Sequence, residues 1–281
     1  MKKVLAVFLA AALLIFSFGC AGKNETKQLK IVGSDTMVVL GQAWAEKYMA
    51  DNPGKKVSVT GGGSGVGITA LIDGTSDITQ SSRDMKATEL EKAKAKGVTP
   101  VETIVAYDGI AIIVNPDNPV TTLTMAQAGA IFKGEATNWK EVGGKDEEIG
   151  IYSRESSSGT YEFMKEHVLK NKDYAASTKY SAGSALLVQS VSQDKTAIGY
   201  TGVAYAKNRD DVKILSISAD ENSTAYLPNK ETVKSGTYPI ARSLNFYTNG
   251  EPIGEIGAFV SFVLGSEGQK IVEETGYFTV N

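Results

Sequence analysis

From Leu29 onward the chain repeats one unit: a short apolar strand, a turn rich in glycine and serine, and a helix. Leu29-Lys30-Ile31-Val32 reads as a strand, and Gly33-Ser34-Asp35-Thr36 turns into a helix whose apolar face uses Leu40, Trp44 and Tyr48 before Pro53 stops it. Val57-Ser58-Val59-Thr60 alternates as a second strand. The run Gly61-Gly62-Gly63-Ser64-Gly65-Val66-Gly67 then leads into a helix carrying Ile68, Leu71 and Ile72 at helical spacing. Asp77-Ile78-Thr79 is a third strand candidate, followed by a helix with a Thr88/Glu91 capping box that ends at Gly97. This alternation predicts an α/β fold whose sheet is largely parallel.

The run Gly109 to Val114, closed by Asn115-Pro116, suits a buried strand crossing out of a first lobe. Helical patterns follow at Met125–Phe132, Thr160–Lys170 and Ala185–Ser192, with strands at Ile198–Tyr200 and Val212–Leu215. Ile240 to Tyr247 brings the chain back, and two last amphipathic helices, with Phe259, Phe262 and Val263 and then Ile271 and Val272, are expected on the first lobe. The division is therefore 29–114 with 241–281 as lobe 1 and 115–240 as lobe 2, hinged near Val114-Asn115 and Ala241-Arg242. Trp44, Trp139 and the tyrosines fall at amphipathic spacing or beside turns and read as packing residues.

Lys2 and Lys3 precede an apolar stretch from Val4 to Phe18 and then Gly19-Cys20, the pattern of an export signal over residues 1–19. The stretch is short for a membrane span. Cys20, the single cysteine, stands where bacterial lipoproteins carry their lipid, although Ser17 replaces the usual Leu. Residues 20–28 then form a lipid-anchored tether, and about 260 residues remain for one or two cores without disulfides. The formal charge of −3 becomes more negative once Lys2 and Lys3 are lost, which argues against a nucleic-acid partner. Any attraction for an anion must then be local.

Arg154-Glu155-Ser156-Ser157-Ser158-Gly159-Thr160 lies between a strand, Ile149 to Tyr152, and a helix. Free N–H groups of a first helical turn, the helix dipole and the Ser158 and Thr160 hydroxyls suit an anion, and Arg154 can add a charge-assisted pair. Alone, the heptapeptide fits an ordinary serine cap with an exposed arginine equally well. Gly33-Ser34-Asp35-Thr36-Met37 and Gly63-Ser64-Gly65-Val66 have the same character, and three such starts divided between two lobes favour a cleft for a small oxyanion.

Other chemistry fits less well. His167 is the only histidine and sits mid-helix, no G-x-S-x-G elbow occurs, and one cysteine with one histidine does not make a zinc site. A secreted phosphatase-type hydrolase is therefore the weaker alternative, and no metal or cofactor is expected. The glycine run lacks a following Gly-Lys-Ser/Thr and misses G-x-G-x-x-G at Val66.

The ordered set GSDTM (33–37), GGGSGVG (61–67), SDITQSSRDM (76–85), AYDGIAIIVNPDNP (106–119), IFKGEATNW (131–139), SRESSSGT (153–160) and AIGYTG (197–202) resembles the phosphate-binding proteins of bacterial phosphate ABC importers over nearly the whole mature chain. The resemblance implies a two-lobed periplasmic-binding fold (type II), inorganic phosphate bound between the lobes, and delivery by a monomeric lipoprotein, anchored outside the cell membrane, to membrane permease subunits. It places Ser34, Thr36 and the backbone of Met37 in the first loop, Ser64 in the second, and Arg154, Ser158, Gly159 and Thr160 opposite them. Ser82 stands where the family often carries an Asp that accepts the phosphate proton. Asp108 is the candidate replacement, with Arg83 as a second charge and Asp35 as another acceptor. Asp108 also fits a turn cap, and Arg83 a surface pair with Asp84. Sulfate, molybdate and tungstate are the alternative ligands.

Overall fold

The computed structural model describes residues 28–281; the expected signal segment 1–19, Cys20 and the tether up to residue 27 lie outside the described residues. The first stretch alternates as the sequence predicts: β1 (Leu29–Gly33), α1 (Val38–Asp51), β2 (Val57–Thr60), α2 (Ser64–Ile72), β3 (Ile78–Ser81) and α3 (Ala87–Ala95), with a 3-10 turn at Asp35–Met37 before α1. The cap of α3 differs from the expected Thr88/Glu91 box. Lys86 is the N-cap, and Glu89 accepts its N–H at 2.8 Å because Arg83 fixes the Glu89 carboxylate beside it.

β4 (Pro100–Val114) extends well upstream of the apolar run that marks it in the sequence. There follow β5 (Thr122–Thr124), α4 (Met125–Lys133), β6 (Gly150–Arg154), α5 (Gly159–His167), β7 (Lys179–Ser181), α6 (Ser184–Gln193), β8 (Ala197–Gly202), β9 (Lys213–Ile214), β10 (Ser216–Ser218), α7 (Lys230–Lys234), β11 (Ala241–Asn249), α8 (Gly254–Leu264) and α9 (Ser266–Glu274). The main sheet runs β2-β1-β3-β11-β4-β8-β6-β7. β1 is parallel to β2 and β3, and β6 is parallel to β7 and β8, as helical crossovers require. β11 and β4 lie antiparallel to their neighbours, which makes the sheet mixed.

β4 is the seam of the molecule. Its residues from Pro100 to Gly109 pair with β11, and those from Ile110 to Val114 pair with β8. Ile110–Val114 therefore pack in a second core with Phe132, Trp139, Leu187 and Tyr200, not with the first lobe as their sequence position led us to expect. The first core gathers Ile31, Trp44 and Tyr48 with Phe246, Phe259 and Val272 from the end of the chain, so α8 and α9 close it as anticipated.

Trp44 is fully buried, meets the Phe246 ring edge-on at 5.5 Å and donates its indole N–H to the Gly268 carbonyl at 2.8 Å. Trp44→Ala removes this packing and strands that carbonyl. The expected loss is about 3–5 kcal/mol, read as a lower urea midpoint with an unchanged slope.

Candidate functional site

Three loops converge where the two cores meet. The first is pinned to β3: the Ser34 N–H donates to Gln80 O at 2.8 Å, and Gln80 Nε2 returns a bond to Ser34 O at 3.0 Å. Tyr277 donates its hydroxyl to the Thr36 carbonyl, and Tyr205 donates to the Asp35 carbonyl at 2.7 Å. The Ser34 hydroxyl donates to Ser82 Oγ at 2.9 Å, Ser64 Oγ lies 3.4 Å from Ser82 Oγ, and the Ser82 N–H donates to Ser64 Oγ at 3.1 Å. From the other side, Thr160 Oγ1 lies 2.9 Å from Thr36 Oγ1. Ser158 caps α5, its hydroxyl oxygen accepting from the Thr160 and Tyr161 N–H groups at 3.2 and 3.4 Å. Ser34, Thr36, Ser64, Ser82, Ser158 and Thr160 are all buried.

Two glycines permit this approach. Gly63, at φ +102°, has no side chain to strike Ser157 O, which would lie 2.3 Å from a Cβ, and the Gly65 N–H donates to that same carbonyl at 3.1 Å. A Cβ on Gly159 would lie 2.3 Å from Ser64 Oγ and 2.7 Å from Ser82 Oγ.

Three arginines surround the hydroxyls, each held differently. Arg154, 2% exposed, donates from Nε to Ser181 O (3.2 Å), from Nη1 to Ser184 Oγ (2.8 Å), and from Nη2 to Ala182 O and Asp35 Oδ2 (both 2.8 Å). It thus ties the loop before α6 to the loop after β1. Arg83 forks onto Glu89 at 2.7 and 2.8 Å and donates to the Asp84 carbonyl at 2.8 Å, so its partner is Glu89 and not the Asp84 carboxylate. The Met37 N–H bonds Ser34 O at 3.1 Å inside the 3-10 turn.

Arg242 is the residue that sequence reasoning missed. Its Nε and Nη2 donate to Asp108 Oδ2 at 3.1 and 2.8 Å, its Nη1 donates to Ser82 O at 2.9 Å, and Nη2 also reaches Thr160 Oγ1 at 3.0 Å and Thr36 Oγ1 at 3.4 Å. Asp108 Oδ1 accepts the Val203 N–H at 3.2 Å, so the structure brings Asp108 to the site with both oxygens engaged. Burial pushes the Asp108 carboxyl above the ordinary value, and the Arg242 guanidinium pulls against that rise.

Chemically, this is a set of rotatable O–H donors bonded mainly to one another, bordered by the first turns of α2 and α5. Each hydroxyl can turn its proton onto an oxyanion placed among them. Among the described residues the hydroxyls bond each other, the backbone and Arg242, with no histidine or lysine poised to deprotonate one. No group of three or more His, Cys, Asp or Glu among them is placed to hold a metal.

Two cores joined through one crossing sheet, with a small polar site at the junction, define a substrate-binding protein of the periplasmic type. The chain belongs to the PBP superfamily, and within it to the family of the phosphate-binding proteins PstS: the PBP superfamily domain matches residues 21–267, and the PstS protein of Pseudomonas aeruginosa is 35% identical over 266 residues, 89% of this chain and 82% of the relative. PstS of Staphylococcus aureus is 34% identical over 92% of this chain and 80% of its own length. A substrate-binding protein from Clostridium perfringens, solved with bound phosphate, superposes with a TM-score of 0.81 at 32% identity, covering 91% of this chain and 100% of that one.

The Arg242–Asp108 pair generates a stability prediction. Arg242→Ala leaves a buried carboxylate without its counter-charge and is expected to cost about 3–5 kcal/mol near neutral pH. A carboxyl whose folded pKa lies above its unfolded value favours folding only while protonated, and losing Arg242 raises Asp108 further. The deficit relative to wild type should therefore shrink as pH falls toward about 4, which denaturant titrations across that range would read.

Proposed function

We propose that the protein captures inorganic phosphate between its two halves and delivers it to the membrane permease of an ABC importer, acting outside the cytoplasmic membrane as a monomer without covalent chemistry. The names of its relatives support the ligand and the partner. The observation that carries the reading is the meeting of Thr36 and Thr160, hydroxyls from opposite halves, at 2.9 Å. Cys20 is the proposed lipid attachment point; among the described residues no helix is long and apolar enough to cross a membrane.

In this mechanism one lobe comprises 29–109 with 241–281 and the other 110–240, because β4 changes partner after Gly109. The hinge then falls at Gly109-Ile110 and Ile240-Ala241, five residues earlier along β4 than Val114-Asn115. Phosphate enters with the halves apart. Its oxygens take the place of the hydroxyl-to-hydroxyl contacts, so that Ser34, Thr36, Ser64 and Thr160 donate to the anion, assisted by the N-terminal N–H groups of α2 and α5. Ser82, buried among the hydroxyls of Ser34 and Ser64, accepts the phosphate proton with its hydroxyl oxygen. Arg154 draws the second half onto Asp35 as the cleft shuts. The closed form is what the permease recognises.

Calorimetry with an anion panel tests the ligand: phosphate should bind more tightly than sulfate, molybdate or tungstate at neutral pH, and a reversed order overturns the assignment. Gly159→Ala tests the closure. A methyl at this position would lie 2.3 Å from Ser64 Oγ and 2.7 Å from Ser82 Oγ, so it holds the two halves apart. Phosphate affinity should fall more than tenfold, about 1.4 kcal/mol, while near-ultraviolet circular dichroism shows each half still folded.

A further inference from the structure

We infer that Arg242 is a cationic ligand of the bound anion, held in place by Asp108 as its positioning residue. The inference rests on the phosphate reading above and adds a residue to the same site. Arg242 on β11 and Asp108 on β4 are register partners at the point where these strands pass from the first core toward the second. Both side chains are buried, at 2% and 0% exposure. The guanidinium of Arg154 directs its hydrogen bonds to Asp35, Ser184 and two carbonyls, and none to the hydroxyl cluster. Arg242, by contrast, already touches one hydroxyl from each half, Thr36 at 3.4 Å and Thr160 at 3.0 Å. An anion oxygen that parts those two hydroxyls enters the reach of Nη2.

Asp108 makes this possible in two ways. It grips the Nε and Nη2 edge of the guanidinium, so the cation is presented in one orientation, and it is itself fixed by the Val203 N–H of the second half. It also keeps a buried arginine neutralised before any anion arrives. The Phe163 ring lies 5.7 Å from Arg242 Cζ and packs against the guanidinium. The other charged or titratable groups around the pair are the buried Tyr277 and Tyr238 and the partly buried Tyr205 beside it, together with Arg83, Asp84 and Lys86 ahead of α3 and Glu162, Glu166 and His167 on α5, which line the same 640 Å³ cleft.

The test replaces the ion pair by a neutral one. Asp108→Asn with Arg242→Gln leaves the net charge of the protein unchanged, so a change in affinity reports the contact and not the overall field. With near-ultraviolet circular dichroism confirming a native fold, phosphate affinity should fall roughly tenfold to a hundredfold, the range of a charge-assisted hydrogen bond. The loss should be larger at about pH 8 than at about pH 6, because a guanidinium contact favours the dianion; His167→Gln, measured alongside, removes the one histidine as a source of that pH dependence. A native double variant that binds as wild type, or loses the same factor at both pH values, overturns the inference. Should the double variant not fold, Arg242→Lys keeps a charge beside Asp108 while withdrawing the fork from Thr36 and Thr160. A loss of at least about tenfold supports the assignment, and unchanged affinity overturns it. If wild-type protein itself fails to bind phosphate, the functional reading falls and this inference with it.

Discussion

Asp108 and Arg242 face each other on the two antiparallel strands that pass between the cores, and much of the site is arranged around that buried pair. A carboxylate with no exposure survives only if its charge is answered at close range, and the answering arginine must then satisfy its remaining N–H groups. It does so on Ser82 O, Thr36 and Thr160, which belong to the turn after β3, the 3-10 turn before α1 and the first turn of α5. The ion pair thereby fixes where those turns stand relative to the crossing strands. Around it, tyrosines take up the backbone acceptors of the first loop: Tyr277 on Thr36 and Tyr205 on Asp35. Burial pushes the Tyr205 hydroxyl up to about 12, so it stays a donor across the physiological range.

The remaining contacts divide into those that hold a loop and those that join two halves. Gln80 holds Ser34, and Ser158 holds the first turn of α5. Arg154 with Asp35, the Gly65 N–H with Ser157 O, and Lys86 with Glu162 at 2.8 Å join residues on opposite sides. The last of these is solvated and contributes little energy. The first is buried on the arginine side, so parting the halves exposes a cation that has three other acceptors to retain it on its own side.

Local signals made the first half of the fold legible. β1, β2, α2 and the order of the motifs follow from period and turn chemistry, which act over a few residues. The three Ser/Thr-bearing helix starts were readable for the same reason. The upstream part of β4 was not, because Pro100 to Asp108 shows little apolar run and is stabilised by β11, a strand more than a hundred residues away. Arg242 escaped notice for a related reason: its meaning depends on a partner in register across the sheet. A signal did exist. Ile240–Tyr247 and Ala106–Asn115 are largely apolar runs, and each carries one charge of opposite sign, Arg242 in the first and Asp108 in the second. Arg154 is a similar case. Its sequence context left an exposed arginine open, and the acceptors at residues 181 to 184 that hold it buried lie in a stretch without any motif.

The insertion of β11 between β3 and β4 has a bearing on how the chain becomes a protein. The second core draws almost wholly on residues 110 to 240 and can assemble as soon as that stretch is available. The first core needs Phe246, Phe259 and Val272, and its sheet lacks a central strand until β11 is made. A chain emerging amino terminus first therefore carries β1, β2 and β3 as a three-stranded fragment with an open edge while the later half is already packing. The segment born first is the last to be completed, and for that interval the edge of β3, the strand leading to Ser82, is the surface most exposed to wrong pairing.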